Sequence, residues 1–206
     1  VRLQENMTHS GTLTVNDGSF TLDVNGKQLT EEKGKTLLEL NDGSLTLMDS
    51  VGTGSMVGGK LAHMIVVDSG TLIIQSGSYW VPGSATLEYA IIYTADGKDP
   101  VVKIKDGSLG TANISCTKYG FYMLSGTLEV EGGTFSGAMN YAIKDTKATI
   151  SGGEFKSNLY LGQDNAKLRG GSFATLKVAD EAGNIASDGK CSQLLDGTYG
   201  EKYQYK

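Results

Sequence analysis

One short phrase returns along this 206-residue chain and limits the folds open to it more than any single residue does. Leu13-Thr14-Val15-Asn16-Asp17-Gly18-Ser19-Phe20 reappears as Leu38-Glu39-Leu40-Asn41-Asp42-Gly43-Ser44-Leu45, and later as Leu128-Glu129-Val130-Glu131-Gly132-Gly133-Thr134-Phe135. With further copies around Gly77, Gly107, Gly153 and Gly171 the phrase occurs seven times. Each copy reads apolar-any-apolar, two turn residues, glycine, a small polar residue and a large apolar one. The alternation predicts a short strand with one face inward, and Asn-Asp-Gly or Glu-Gly-Gly supplies a turn that needs positive φ.

The repeat accounts for the composition. Glycine supplies 29 residues and proline only two, which excludes collagen and argues against a Pro/Gly-rich disordered chain. Successive motif glycines stand 25, 34, 30, 26, 20 and 18 residues apart, so the corner is constant while the return path varies. A third short apolar segment begins 12 residues before several of these glycines, as at Ile65, Phe121, Tyr141 and Leu159. Three unlike strands in fixed order do not make an antiparallel meander. They predict coils stacked in parallel, each strand pairing with its copy in the next coil at about 4.8 Å. The expected architecture is all-β, a solenoid of about seven coils with three short strands per coil. It forms one domain over 1–206, with coils in 11–178 and caps or flanking chain at 1–10 and 179–206.

The phrase Gly126-Thr127-Leu128-Glu129-Val130-Glu131-Gly132-Gly133-Thr134-Phe135, seen again in Ser151-Gly152-Gly153-Glu154-Phe155, resembles the right-handed parallel β-helix (pectate-lyase-like) repeats of large bacterial surface proteins. Leu194-Leu195-Asp196-Gly197-Thr198-Tyr199 is similar to a phrase that closes such stretches in Gram-positive and gut-commensal proteins. The resemblance implies a right-handed parallel β-helix located outside the cell, on the bacterial surface or secreted. It also implies a monomeric module of a larger protein that presents a rigid surface to a host protein, immunoglobulin or a mucosal glycoprotein among them, or to a glycan. Because β-helices host many functions, a polysaccharide lyase or hydrolase and a passive stalk are the alternatives.

Charge and motif chemistry narrow the field. A formal charge of -5 with only two arginines, Arg2 and Arg169, does not suit a nucleic-acid surface. No apolar run approaches the roughly 20 residues of a spanning helix. Val1 opens the chain with no charged-then-apolar leader, as in a mature product or an excised domain. The glycine-rich stretch 51–60 lacks the Gly-Lys-Ser/Thr ending of a phosphate loop, since Leu61 follows Lys60. His9, His63, Cys116 and Cys191 show no metal-ligand spacing, and neither cofactor nor metal is expected. Spacing leaves free thiols and a disulfide both open, but stacked coils would set the two cysteines about 10 Å or more apart, beyond the roughly 7 Å limit for a bridge. No Ser-His-Asp or Cys-His spacing appears. Asp17, Asp42 and Asp106 sit in the turn register, so no catalytic residue is assigned and a non-enzymatic role is expected.

Binding is expected where residues face outward or break the repeat. One outward row is read as Thr14, Glu39, Ile73, Lys103, Glu129, Thr149 and Lys167, and a second as the small hydroxyl residues after the corner. The third strand offers Tyr122 and Tyr160, with Ala142 between them. Insertions at 49–60, 80–88 and 94–100 add Trp80 and Asp96, with the motif residue Tyr79 leading into the second of them. Tyr122, Tyr160, Tyr79, Trp80 and Asp96 are the expected contact residues, because tyrosine and tryptophan present large contact areas at low entropic cost.

Overall fold

In the computed structural model the described residues are 1–59, 62–81, 90–105, 112–115, 119–162, 166–179, 193–194 and 198–199. They are all-β, in parallel strands that form curled sheets, an arrangement compatible with a parallel β-helix. Cys116, Cys191 and Asp106 lie outside them, as does most of the expected C-terminal cap.

Each early strand pairs in parallel with the third strand after it, so three ladders run through the chain. The first joins Leu13–Val15, Leu38–Leu40, Ile65–Val67 and Ala90–Thr94. It continues through the opening parts of Tyr119–Val130 and Met139–Ile150, then the closing parts of Glu154–Gly162 and Ser172–Ala179. The second joins Ser19–Asp23, Ser44–Met48, Thr71–Ile74 and Val101–Ile104, and runs on to Gln193–Leu194. The third begins at Met7–His9 and passes through Gln28–Glu31, Ser55–Val57, Gly77–Trp80, Ala112–Ser115 and Thr134–Phe135.

These registers divide the repeated phrase between two corners. Gly18, Gly43 and Gly70 stack at the turn between the first and second ladders, whereas Gly77, Gly133, Gly153 and Gly171 open the third. Both turns need a positive φ just before a strand, so both select the same Gly-small-apolar wording. At Gly43 the requirement is doubled, because φ is +83° and a Cβ would run into the carbonyl oxygen of Gly18.

The outward rows change with the corners. Thr14 and Glu39 stand in line with Val66 and Tyr93, while Ile73, Lys103, Glu129, Thr149 and Lys167 continue from Thr46 in the second ladder. Lys103 and Glu129 do face one another as rung neighbours, with Nζ to Oε2 at 2.9 Å. Phe20 also parts company with the other phenylalanines of the motif, since it pairs with Leu45 in the second ladder.

The core fills the space inside the ladders. Ile65, Ile92, Phe121 and Leu159 project inward from the first, Leu47, Ile74, Ile104 and Val130 from the second, and Met56, Tyr79, Phe135, Phe155 and Phe173 from the third. Phe135 and Phe155 stack at 4.3 Å between ring centroids, and Phe155 stacks on Phe173 at 5.2 Å. Like side chains therefore repeat at the strand spacing and pack on their own copies.

Candidate binding face

The outward row of the first ladder is where the chain departs most from a bland solvated surface. Its successive residues are Thr14, Glu39, Val66, Tyr93, Tyr122, Tyr141, Tyr160 and Lys177. Parallel in-register pairing puts each tyrosine above the next. His63 stacks on Tyr93 at 4.0 Å with the planes 3° apart, and Tyr141 stacks on Tyr160 at 4.4 Å and 10°. Between these stacks, Tyr122 meets Tyr141 at 5.4 Å and 66°, and Tyr119 leans against both. Lys177 closes the row with its ammonium 5.7 Å from the Tyr160 ring centre. Four ladder steps separate the His63 and Tyr160 levels, about 19 Å at the parallel-strand spacing.

Two register shifts bring these rings into line. Tyr119 pairs with Met139, yet Tyr122 pairs with Tyr141, so Gly120 and Phe121 together oppose Asn140. A Cβ on Gly120 would meet the Asn140 amide oxygen, so any larger residue here displaces that side chain. That oxygen is buried without a hydrogen-bond partner among the described residues, while the amide nitrogen donates to the Asn158 carbonyl at 3.4 Å. The second shift lies between Met123 and Ser125, opposite Lys144, whose φ of +53° is rare for a non-glycine residue.

A small apolar cluster outside the main core supports the row. Ile143 and Tyr160 are buried there, with Leu124, Met139 and Tyr141 packed against them. Burial, followed by the neighbouring phenols, pushes the Tyr141 hydroxyl up to about 12. At the rim Lys144 binds the Asp96 carboxylate at 2.9 Å, and the hydrogen bond and charge lower the Asp96 pKa and raise that of Lys144.

Of the residues expected to make contacts, Tyr122, Tyr160 and Asp96 meet at this face, Asp96 through Lys144, which feels the Tyr122 hydroxyl electrostatically. Tyr160 is nevertheless only 5% exposed, and the residue between it and Tyr122 is Tyr141 rather than Ala142, which points into the core. Tyr79 does not belong to a surface. It occupies the inward row of the third ladder at 1% exposure, donates its hydroxyl to the Ser76 carbonyl at 2.8 Å, and has its pKa raised by burial and then by Asp49. The change of corner accounts for this, since Tyr79 fills the same interior row as Phe135 and Phe155. Trp80 is exposed at 37% but lies on the third ladder, away from the tyrosine row.

Sequence reasoning passed over His63, Tyr93, Tyr119 and Tyr141 as parts of one surface. The signal for Tyr141 was present, because Tyr122, Tyr141 and Tyr160 follow one another at intervals of 19 residues. His63 adds a titratable group to the row. Its Nδ1 accepts the Ala90 N–H at 3.1 Å, and burial lowers its pKa below the ordinary 6.5. The unfolded chain thus binds this proton more readily than the folded one, so the contribution is complete above about pH 6.5 and is lost as pH falls through the folded pKa. Thermal midpoints measured between pH 7.5 and 5 are expected to fall with pH, and His63→Gln is expected to flatten that decline.

The insertion beginning at Asp49 is structural in its described part. The buried Asp49 carboxylate accepts the N–H groups of Gly26 at 2.7 Å, Val51 at 3.2 Å and Gly54, folding the loop around itself. Asp68 pairs with Lys98 at 3.4 Å. Among the described residues no group of three or more His, Cys, Asp or Glu side chains could hold a metal ion, and no helix is long and apolar enough to cross a membrane.

Comparisons with protein-family models, curated proteins and solved structures find no match to this chain.

Proposed function

We propose that this chain is a right-handed parallel β-helix from a bacterial cell-surface or secreted protein, acting as a non-enzymatic module that binds a host protein. The three parallel ladders support the architecture. The first ladder takes in eight successive segments among the described residues, so the helix has room for the seven expected coils and one more.

The observation that carries the binding role is the row from His63 to Tyr160. An aromatic surface mounted on paired strands loses little entropy on binding, and phenols combine apolar area with a hydrogen-bonding tip. Where the rings are stacked, their faces are engaged with one another at 4.0 and 4.4 Å. A sugar needs a free ring face to stack upon. A protein surface can use the ring edges, the hydroxyls and the flanking Lys144 and Lys177, which makes a protein the better match than a bare glycan.

Immunoglobulin and mucosal glycoproteins, the latter with and without their glycans, are the first partners to test by biolayer interferometry. Tyr122→Ala combined with Tyr141→Ala is expected to weaken binding at least tenfold, whereas Trp80→Ala leaves it near the parent value, as hot spots concentrate in packed aromatic clusters. Unchanged affinity in the double variant would remove this face from the account. Polysaccharide depolymerisation by the chain, assayed with and without calcium, would replace the binding reading with an enzymatic one.

A further inference from the structure

Among the described residues nothing covers the amino-terminal end of the ladders over Phe20 and Met7, and the register states what would close it. Phe20 occupies an inward row, paired with Leu45, which is 3% exposed, yet Phe20 itself is 50% exposed. Met7 repeats the pattern in the third ladder, at 45% exposure beside a fully buried Leu29. Both residues point toward the core but have no rung above them among the described residues.

Hydrogen bonding gives the same picture. Along a parallel ladder, alternate residues direct both N–H and C=O to the same neighbour. Leu13 donates to the Leu37 carbonyl and Val15 accepts from Asn41, which turns the Thr14 amide to the free side. Asp23 exchanges bonds with Val1 and Leu3, and the Thr21 carbonyl accepts the Val1 ammonium at 2.6 Å. The Thr21 N–H faces that same side with no acceptor among the described residues. Edge strands are ordinarily blunted with charge, proline or a bulge. Leu13-Thr14-Val15 and Ser19-Phe20-Thr21-Leu22 carry no charge and no proline, and they pair with their inner neighbours without a register shift.

We propose that this edge is a docking site for one further turn of the same repeat, entering in parallel over Leu13–Val15 and Ser19–Asp23 and continuous with residues 1–3. Continuity with the existing ladder selects this occupant. Arg2 already bridges Asp23 in parallel, so a strand running into Val1 passes over Leu22, Thr21 and Phe20 in turn. Its side chain opposite Phe20 is apolar, because that row is Leu45, Leu72, Val102 and Leu128 in the later rungs. The turn before it is of the Asn-Asp-Gly kind, since Gly18 and Gly43 stack there.

The chain supplies its own probe. Arg2 and Met48 both pair with Asp23, so Thr46 is the equivalent of the position immediately before Val1, and a copy of Thr36–Thr46 fused ahead of Val1 falls into register. Hydrogen exchange of the intact fusion is expected to slow at Thr14 and Thr21 by at least tenfold, and its thermal midpoint is expected to rise. A fusion of Thr36–Leu45, one residue shorter, presents the opposite face and is expected to do neither. Equal protection in the two fusions, or full protection of these amides in the parent, would overturn the proposal. So would a parent that sediments as a dimer and becomes monomeric on Phe20→Asp, because a second copy would then be the occupant.

Discussion

Phe155→Ala is expected to lower the unfolding free energy by about 3–5 kcal/mol, the range for emptying a buried phenylalanine site. Phe155 sits between Phe135 and Phe173 with its ring stacked on both, and Phe121 approaches edge-on at 6.4 Å. The space cannot close readily. Glu154 donates to the Gly133 carbonyl and Ser172 to the Gly153 carbonyl, each at 2.8 Å, so the neighbouring backbones stay at the ladder spacing. Denaturant unfolding measures the loss directly. Phe20→Ala serves as the comparison, for Phe20 holds the same position in the written motif but is half exposed, and its truncation is expected to cost about 1 kcal/mol or less. Similar losses at both sites would mean that the two corners are one after all.

The second large effect is expected at Asp49. Removing its carboxylate in Asp49→Ala leaves the part-buried Gly26 and Val51 amides and the buried Gly54 amide without their acceptor. An orphaned buried group costs roughly 1–3 kcal/mol, which applies in full to the Gly54 amide and in part to the other two, so a loss of about 2 kcal/mol or more follows. Asp49→Asn keeps one carbonyl oxygen as an acceptor and is expected to recover part of it. The pair of variants also bears on catalysis. A structural Asp49 lowers the unfolding midpoint in both variants, in the order Ala then Asn, without reference to any substrate. Unchanged stability in Asp49→Ala would free this carboxylate for another role.

Much of the architecture was legible in local chemistry. The apolar-any-apolar phrase names its inward residues correctly in both ladders it belongs to, since Leu38, Leu40, Leu72, Ile74, Leu128 and Val130 are all buried. Three strands in fixed order likewise predict the parallel pairing with the third strand onward. The candidate face was only partly legible. Tyr122 and Tyr160 were identified from their alternation, but Tyr79, itself a motif residue, was drawn in because it leads into the insertion at Trp80, and Tyr141 was passed over for Ala142. A shift of one residue exchanges inside for outside along a strand. The bulge at Gly120 and Phe121 makes such a shift, and nothing within the Met139–Ala142 segment announces it.

The sequence by itself determined that the chain is all-β, that its glycines mark recurring turns, and that alternate apolar residues line an interior. Local preferences suffice for these, because a positive φ and a two-residue alternation are properties of a few neighbouring residues. Only the tertiary structure decided that the single written corner is two, that Tyr79 lies inside, and that His63, Tyr93, Tyr122, Tyr141 and Tyr160 form one row. Those outcomes depend on which rung lies against which, and pairing between residues 19 to 29 positions apart is settled by packing and hydrogen bonding across the ladders.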